Sequence, residues 1–313
     1  MTNRLDILGV QAFVSIAELS SFRSAANHLH LSESALGRRL KKLEDGLGIR
    51  LVNRTTRTVA LTQEGADFLP KARRVVQDLA ASLDDLRTGD ARPSGTVKVG
   101  CLPTLAALFM PALLRAYTHD HPQVRIQLFD RSATEIREAV LNGEIDFAIT
   151  VPGATHHRLD ADKLFTERMV VVCPAGHAMA RRASVTWRQL SGESLISIGT
   201  LSANRALIDG LVQDQAINLA WTYQVEHLST AVALVAGGSG VAILPSAAVV
   251  ESAEAMIAVV PLRAPVLHRD VVLLRRKFPM SAASQRFAEL VRHDLHGWRT
   301  PAPAPGRERN GSA

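Results

Sequence analysis

The stretch Ser21–Glu44, SFRSAANHLHLSESALGRRLKKLE, decides the fold of the N-terminal part of this chain. Its pattern predicts two short helices joined by a tight turn, because Ser21 and Ser32 each precede an apolar run and can cap a helix. Three leucines of the second helix fall at helical spacing and share one buried face: Leu36, Leu40 and Leu43. This is the arrangement in which a helix-turn-helix presents its second helix to DNA.

The outward face of the second helix carries short hydroxyls and basic side chains, with Ser34, Arg38 and Lys41 opposite the leucines. Side chains of these types reach base edges and phosphates in the major groove. We therefore predict a set of DNA-contacting residues on this helix: Ser32, Glu33, Ser34, Arg38, Arg39 and Lys41. An ordinary amphipathic helix with a solvated basic face is the alternative that this pattern alone leaves open.

Positive charge is concentrated around this helix. The whole chain has a net charge of +6, whereas the segment from Arg23 to Arg57 contains eight Lys and Arg residues against three Asp and Glu residues. A short segment with this balance indicates nucleic acid as a partner.

The segment Ile49–Leu61 follows a glycine-containing turn and is rich in Val, Ile and Thr, which predicts a two-stranded wing. Arg54 and Arg57 project from this ribbon and are predicted to contact phosphates or a minor groove. A plain solvated hairpin is the alternative.

The next helix, which Thr62 can cap, has apolar residues at alternating spacings of three and four. This heptad pattern predicts that the helix pairs with a second copy. The predicted dimerisation residues are Leu69, Val76, Leu79, Leu83 and Leu86, with Ala72 on the same seam. One long helix lying on its own domain is the alternative.

Beyond a linker at Gly89–Gly95 the pattern changes to alternating strands and helices. The segments Thr96–Cys101, Leu105–His119, Val124–Phe129, Ala133–Asn142 and Phe147–Thr150 predict a βαβαβ unit with a parallel sheet. A second series of strands and helices is predicted over Met169–Cys173, Ala203–Gln213, Leu219–Val225, Thr230–Ala236 and Val241–Leu244. A strand at Val271–Leu274 and a final helix through Leu295 complete the chain. Two α/β lobes of similar build imply a cleft between them, with crossovers near Val151–Lys163 and Pro261–His268.

Composition excludes several classes of protein. Two cysteines, Cys101 and Cys173, cannot form a disulfide framework and fit a reducing compartment. The uncharged stretch Leu228–Val250 is long enough to span a bilayer, but glycines and a proline interrupt it. No signal peptide pattern is visible, and we expect a cytoplasmic protein with no membrane segment.

The order of these elements resembles that of LysR-type transcriptional regulators. The resemblance runs from about Leu5 to about Leu295 and depends on three phrases: SFRSAANHLHLSESAL at 21–36, RRLKKLEDGLGIRLVNRTTRTVALTQEG at 38–65, and ALVAGGSGVAILP at 233–245. It implies an α+β multidomain fold with an N-terminal winged helix-turn-helix, a long linker helix and a C-terminal two-lobed α/β effector domain of the periplasmic-binding-protein type. The expected boundaries are 1–61, 62–90 and 91–300, followed by a disordered tail at 301–313.

The resemblance also implies partners: double-stranded DNA with inverted-repeat half-sites, a small organic effector, and a second copy of the chain in a homodimer or homotetramer. RNA polymerase is left open as a further partner, and no cofactor is expected. Glu33 and Gly37 depart from the family pattern, which often has Gln and Ser there, so the operator sequence is expected to differ. Binding of small molecules without a DNA-binding role is the second hypothesis, and an enzyme on an α/β scaffold is the third.

In the family the effector lies between the lobes, held by helix N-termini and short hydroxyls. Here Thr104, Thr200 and Ser202 lie where strands lead into helices, and Thr150 lies at a strand end facing the same crevice. Free N–H groups at helix starts favour an anion, and a carboxylate is the indicated class. An ordinary N-cap without a ligand is the alternative for each residue.

Two further patterns suggest a function, but we favour an ordinary structural explanation for each. Cys101 and Cys173 resemble the cysteines of the peroxide-sensing members of the family, but they lie in or at the ends of predicted strands rather than in an exposed loop as a spaced pair, so two buried thiols are expected. The pairs His156–His157 and His119/His121 suggest a metal, but no neighbouring Cys or carboxylate set supports one, and exposed loop histidines are expected.

Overall fold

The computed structural model describes residues 6–54, 59–88, 95–199, 202–249 and 256–299. The wing tip with Arg57, the linker at 89–94, Thr200 and the tail at 301–313 lie outside these residues.

The N-terminal part is three helices followed by a hairpin and a long helix. The elements are α1 Ile7–Leu19, α2 Phe22–His28, α3 Glu33–Leu47, β1 Val52–Arg54, β2 Val59–Leu61 and α4 Gln63–Thr88. The predicted caps are confirmed, since the Ser21 and Ser32 hydroxyls accept hydrogen bonds from the N–H groups of Ser24 and Ala35. Gly48, in the left-handed conformation at φ 72°, ends α3.

The rest of the chain alternates strands and helices as predicted. The first group is β3 Gly95–Cys101, α5 Pro103–Asp120, β4 Val124–Asp130, α6 Ala133–Asn142 and β5 Phe147–Thr150. The second is β6 Leu159–Pro174, β7 Val185–Thr186, β8 Leu195–Ile198, α7 Ala203–Asp214, β9 Trp221–Val225, α8 Leu228–Ala236 and β10 Val241–Pro245, followed by β11 Ile257–Arg263, β12 His268–Arg276 and α9 Ala282–Leu295. Short 3₁₀ helices lie at Ala178–Arg181, Trp187–Leu190 and Ser246–Val249.

Two lobes share one sheet. In lobe 1, β3 lies between β4 and β5 in parallel, and β12 joins β5 in antiparallel orientation. In lobe 2, β8 lies between β9 and β10, again in parallel. Loops and helix N-termini can form a ligand site at the carboxyl ends of parallel strands. In this sheet these strands are β3 and β5 in lobe 1 and β8, β9 and β10 in lobe 2.

The predicted crossover between the lobes at Val151–Lys163 is wrong. The chain enters β6 at Leu159, and this single strand runs through both lobes, pairing with β12 over its first part and with β10 and β11 over its second part. The return connection predicted at Pro261–His268 is shorter, because β11 extends to Arg263 and β12 begins at His268. The strands Leu195–Ile198 and Ile257–Arg263 were not predicted from the sequence.

Each part has its own apolar core. Helix α9 closes lobe 1, where Phe287 is fully buried beside Phe147 and Tyr117. Trp187 is fully buried in lobe 2 and donates its indole N–H to the Pro265 carbonyl at 2.9 Å. Over the described ranges, no helix combines the length and the apolar character that crossing a bilayer requires.

Candidate functional site

Helix α3 is held rigidly by its buried face. Leu36 and Leu40 are fully buried and Leu43 nearly so, in a core formed with α1 and α2. Gly9 lets α1 approach closely, since a Cβ there would lie 2.9 Å from the Leu43 Cβ. The direction of α3 relative to α1 and α2 is therefore fixed.

The opposite face of α3 is open to solvent, as predicted. Glu33, Ser34, Arg38 and Lys41 are exposed, and Arg39 is half-buried. Ser32 is also exposed, and its hydroxyl oxygen lies 3.1 Å from that of Ser34, so these two groups form one polar end of the helix. Glu33 lies in the first turn, where its negative charge interacts favourably with the helix dipole.

The start of the wing is tied to α3 by Glu44, a residue that the sequence did not single out. Its carboxylate accepts hydrogen bonds from the N–H groups of Leu51 at 2.8 Å and Val52 at 3.2 Å. Arg54 is the last residue of β1, and the structure describes its backbone but not its side chain. Glu44 thus fixes the angle at which the arginine-bearing hairpin leaves the helix.

The junction between the wing and α4 depends on Thr62 and Gly65. The Thr62 hydroxyl donates to the Arg50 carbonyl at 2.7 Å and accepts from the Gly65 N–H at 2.9 Å. A Cβ on Gly65 would lie 2.0 Å from the Leu51 carbonyl oxygen. Sequence reasoning found the cap but missed this close approach, because nothing local distinguishes Gly65 from an ordinary helical glycine.

Asp6 links α1 to α3. One carboxylate oxygen accepts from the Gly9 N–H at 3.0 Å, and the other lies 3.3 Å from the Lys42 Nζ. An Asp directly before an apolar run is a helix-cap signal, so the sequence could have found the first of these contacts.

The predicted dimerisation seam divides into two parts. Leu69, Ala72 and Val76 pack against the N-terminal core of their own chain. Leu79 and Leu83, further along the same helix, are 37% and 47% exposed, which is unusual for leucines. Leu86 lies on the same helix, with its side chain outside the described set.

In lobe 1 the two predicted effector residues lie at the carboxyl ends of the adjacent strands β3 and β5. Thr150 ends β5, Thr104 stands in the first turn of α5 just after β3, and the Leu102 N–H donates to the Ile149 carbonyl at 3.2 Å between them. The hydroxyl oxygens of Thr104 and Thr150 are buried and have no hydrogen-bond partner among the residues that the structure describes. Most buried hydroxyls in proteins are hydrogen-bonded, which sets these two apart from an ordinary N-cap.

In lobe 2 the predicted residue Ser202 is the N-cap of α7, and its hydroxyl accepts from the Asn204 N–H at 3.3 Å. Thr200 lies outside the described residues. Glu226 follows β9, and its carboxylate packs so closely on Gly199 that a Cβ there would lie 2.5 Å from an oxygen.

A buried ion pair, which the sequence analysis missed, lies where β6 and β12 pass between the lobes. Glu167 and Arg269 face each other across the two strands, with N···O distances of 2.7 and 2.5 Å. Arg269 also donates to the Asn204 side-chain oxygen at 2.6 Å. Glu167 shares a strand face with buried Met169 and Val171, and a carboxylate on such a face is the signal that could have revealed it.

The cysteines are buried, as expected. Desolvation, with a smaller contribution from Asp130, raises the pKa of Cys101 far above its ordinary value. Desolvation and the Glu193 carboxylate raise the pKa of Cys173 to about 11. Both groups therefore stay protonated at neutral pH, and a protonated thiol is a poor nucleophile.

We predict that neither thiol in the folded protein responds to mild oxidants or thiol reagents. With a pKa near 11, Cys173 is about 0.1% thiolate at pH 8, against roughly a quarter for an unperturbed thiol, so its reaction should be about 200-fold slower. The measurement is the rate of disulfide exchange with an aromatic disulfide reagent in the native and the urea-unfolded protein. Equal rates in the two states would contradict the prediction.

The two histidine pairs lie in different settings. His156 and His157 stack on each other at 4.6 Å in the loop after β5, but His119 lies on α5 rather than in a loop. Within the described residues no group of three or more His, Cys, Asp or Glu side chains is arranged to hold a metal ion.

Comparisons with known proteins agree with this arrangement. Residues 9–66 match the family of bacterial regulatory helix-turn-helix proteins of the lysR family, and residues 90–295 match the LysR substrate binding domain. The HTH-type transcriptional regulator YbhD of Escherichia coli is 34% identical over 91% of this chain and 90% of its own length.

Two more relatives are similar over most of the chain. A probable hydrogen peroxide-inducible genes activator of Mycobacterium leprae is 29% identical over 93% of this chain and 96% of its own. A solved full-length OxyR variant of Pseudomonas aeruginosa superposes with a TM-score of 0.70 at 26% identity, covering 92% of this chain and 94% of that one. The chain belongs to the LysR family and is a transcriptional regulator with a helix-turn-helix DNA-binding domain and an effector-binding domain.

Proposed function

We propose that this regulator docks helix α3 in the major groove of an operator with inverted-repeat half-sites, and that a small organic effector between the lobes changes how the assembly holds DNA. The units are residues 1–61 for DNA binding, 62–90 for dimerisation and 91–300 for the effector, in a homodimer or homotetramer. The setting is the cytoplasm, where RNA polymerase is the partner that a bound regulator would contact.

The observation that carries the DNA part is the two-sided character of α3. Its leucine face is buried, whereas Arg38 and Lys41 on the other face are exposed. Arginine pairs in a bidentate manner with guanine, and lysine favours phosphates. We assign base contacts to Ser34 and Arg38 and backbone contacts to Arg39 and Lys41, with Ser32 and Glu33 at the helix start.

The wing supports the same docking. Glu44 holds the base of the hairpin against α3. When α3 docks in the groove, the hairpin that carries Arg54 and Arg57 is therefore brought close to the DNA. We assign these two arginines to phosphate or minor-groove contacts.

The effector part rests on the unpartnered hydroxyls of Thr104 and Thr150 and on the α7 cap at Ser202. Thr200 completes the proposed set. A ligand that bridges both lobes binds one interlobe arrangement better than the other and so shifts the population of assemblies.

Replacing Arg38 with Ala is expected to weaken operator binding by about 10- to 100-fold and to relax specificity at one base position, because a bidentate base contact contributes about 1–3 kcal/mol. The measurement is fluorescence anisotropy with a fragment from upstream of the regulator's own or adjacent gene, at several salt concentrations. The Lys41→Ala variant should instead lower affinity on all sequences and reduce the salt dependence by about one counterion.

Arg182→Ala is the matched control, since Arg182 is an exposed arginine of lobe 2 and its loss removes the same charge. If Arg182→Ala weakens binding as much as Arg38→Ala, the assigned role of α3 is wrong. If the wild-type protein shows no operator complex above non-specific background, a binding module without a DNA role becomes the better description.

A further inference from the structure

A buried ion pair interrupts the apolar face of the two strands that pass between the lobes. Glu167 of β6 and Arg269 of β12 are cross-strand neighbours. The residues two positions away on the same strand faces are apolar and buried, in lobe 1 on one side and in lobe 2 on the other: Phe165 and Val271 in the core of lobe 1, Met169 and Leu267 in the core of lobe 2. The pair therefore lies at the boundary between the two lobe cores.

This pair is enclosed by protein. The Glu167 and Arg269 side chains are 0% and 5% exposed, and one carboxylate oxygen accepts from the Arg269 Nε at 2.7 Å and lies 2.5 Å from its Nη2. Replacing a buried ion pair with apolar residues is often neutral or stabilising, so the pair itself is weak evidence for stability. The best-attested role of such buried groups is to select one arrangement of the chain over others.

The carboxylate of Glu167 also reaches into lobe 1. Its second oxygen accepts from the Ala247 N–H at 2.9 Å. Ala247 belongs to the short helix Ser246–Val249 that follows β10, and this helix packs against α5 with Ala247 in the core of lobe 1. Thr104 lies in the first turn of α5. Glu167 therefore holds the segment against which α5 packs.

The guanidinium of Arg269 reaches into lobe 2. Its Nη1 donates to the side-chain oxygen of Asn204 at 2.6 Å. Asn204 is buried in the first turn of α7, and its N–H donates to the Ser202 hydroxyl at 3.3 Å. A hydrogen bond from a charged donor is about twice as strong as a neutral one. Arg269 therefore holds the start of α7.

We propose that Glu167, Arg269 and Asn204 form an interlobe lock, a set of positioning residues that keeps the start of α7 at one distance from α5 in the ligand-free regulator. The inference rests on the proposed function and deepens it, because Ser202 and Thr104, which are assigned there to the effector, lie at these two helix starts. An effector that favours another interlobe arrangement must break the Arg269–Asn204 contact, so the lock sets how much differential binding the switch requires.

Two variants remove the lock in different ways. Glu167→Gln/Arg269→Met keeps an acceptor for the Ala247 N–H and leaves no buried charge unpaired, so its Tm should lie within about 5 °C of the wild-type value. Asn204→Leu removes only the contact with α7. Asn204→Asp is the conservative partner of Asn204→Leu, since its carboxylate still accepts from Arg269 and lies favourably in the first turn of the helix.

The measurement is amide hydrogen exchange of the full chain without ligand, followed by mass spectrometry. Both lock variants should exchange at least about tenfold faster over 202–208, at the start of α7, because a charge-assisted hydrogen bond no longer holds it. The strands β3 and β8 should exchange as in the wild type, and Asn204→Asp should protect the start of α7 as well as the wild type does.

The matched control is Asp160→Asn/Arg275→Met. It removes a cross-strand ion pair from the same two strands by the same kind of substitution, but this pair is half-exposed and lies within lobe 1. Its exchange over 202–208 should equal that of the wild type. Unchanged exchange at α7 in both lock variants would overturn the proposal, as would faster exchange throughout the domain in step with a lower Tm, which is the signature of a merely structural pair.

Operator binding of the same ligand-free proteins tests the link to function. Both lock variants should differ from the wild type by at least about threefold in operator affinity, whereas Asn204→Asp and the control pair should not. Faster exchange at α7 with unchanged operator affinity would overturn the regulatory role of the lock. Because exchange is measured without DNA, a wild-type protein that binds no operator rejects the proposed function, and the exchange result still decides whether the lock exists.

Discussion

The Gly65→Ala variant is expected to lose specific operator binding almost completely. A Cβ at residue 65 would lie 2.0 Å from the Leu51 carbonyl oxygen and 2.9 Å from the Leu51 carbonyl carbon. Both are backbone atoms, and the N–H of Leu51 is held by Glu44, so the strand cannot move aside without breaking that contact. We expect a loss of at least about 3 kcal/mol of stability in the DNA-binding domain and a displaced wing.

The experiment compares Gly65→Ala with Gly46→Ala by thermal unfolding and by operator binding. Gly46 lies inside α3 and has open space around its Cβ position, so alanine there should stabilise the helix by about 1 kcal/mol. The two variants carry the same substitution and should change stability in opposite directions. A Gly65→Ala protein with wild-type Tm and affinity would show that the wing does not need this close approach.

Local signals explain why the N-terminal DNA-binding part could be predicted. Caps such as Ser21 and Ser32 and the spacing of Leu36, Leu40 and Leu43 act within one or two helical turns, and the structure follows them. The position of Thr104 at a helix start is also a local property, since it depends only on a strand that ends and a helix that begins.

The features that sequence reasoning missed depend on contacts between distant residues. Glu167 and Arg269 are more than a hundred positions apart, and only the pairing of β6 with β12 brings them together. The length of β6 was missed for a related reason. Its first part, Leu159–Arg168, contains five charged residues and buries only four side chains (Leu159, Leu164, Phe165 and Glu167), so its sequence resembles a loop more than a buried strand.

The apolar seam on α4 contains residues that pack on their own domain and residues that remain exposed. The heptad spacing alone could not separate self-packing from pairing, because both bury every third or fourth residue. The structure assigns Leu69 and Val76 to the core of their own domain. Leu79 and Leu83 remain exposed, and large apolar side chains spaced along one exposed helix face favour a partner helix.

Replacing both Leu79 and Leu83 with Glu is therefore expected to separate the protomers. Paired helices would bring four carboxylates to one apolar seam, where an unpaired charge is strongly unfavourable. Each protomer would then bind one half-site alone and lose the effective concentration of about millimolar that tethering provides, so operator affinity should fall by about 10²- to 10⁴-fold. Light scattering after gel filtration and anisotropy on one-site and two-site operators are the measurements.

Val75→Glu is the control for added charge, because Val75 is exposed on the same helix but flanks the seam, at a position where paired helices commonly carry Glu. It should leave the assembly and the affinity close to those of the wild type. The double variant should keep its affinity for a single half-site, since Leu79 and Leu83 are absent from the core that supports α3. Loss of half-site binding would mean that α4 is needed to fold the reading domain, and an intact dimer would mean that the exposed leucines are not the pairing surface.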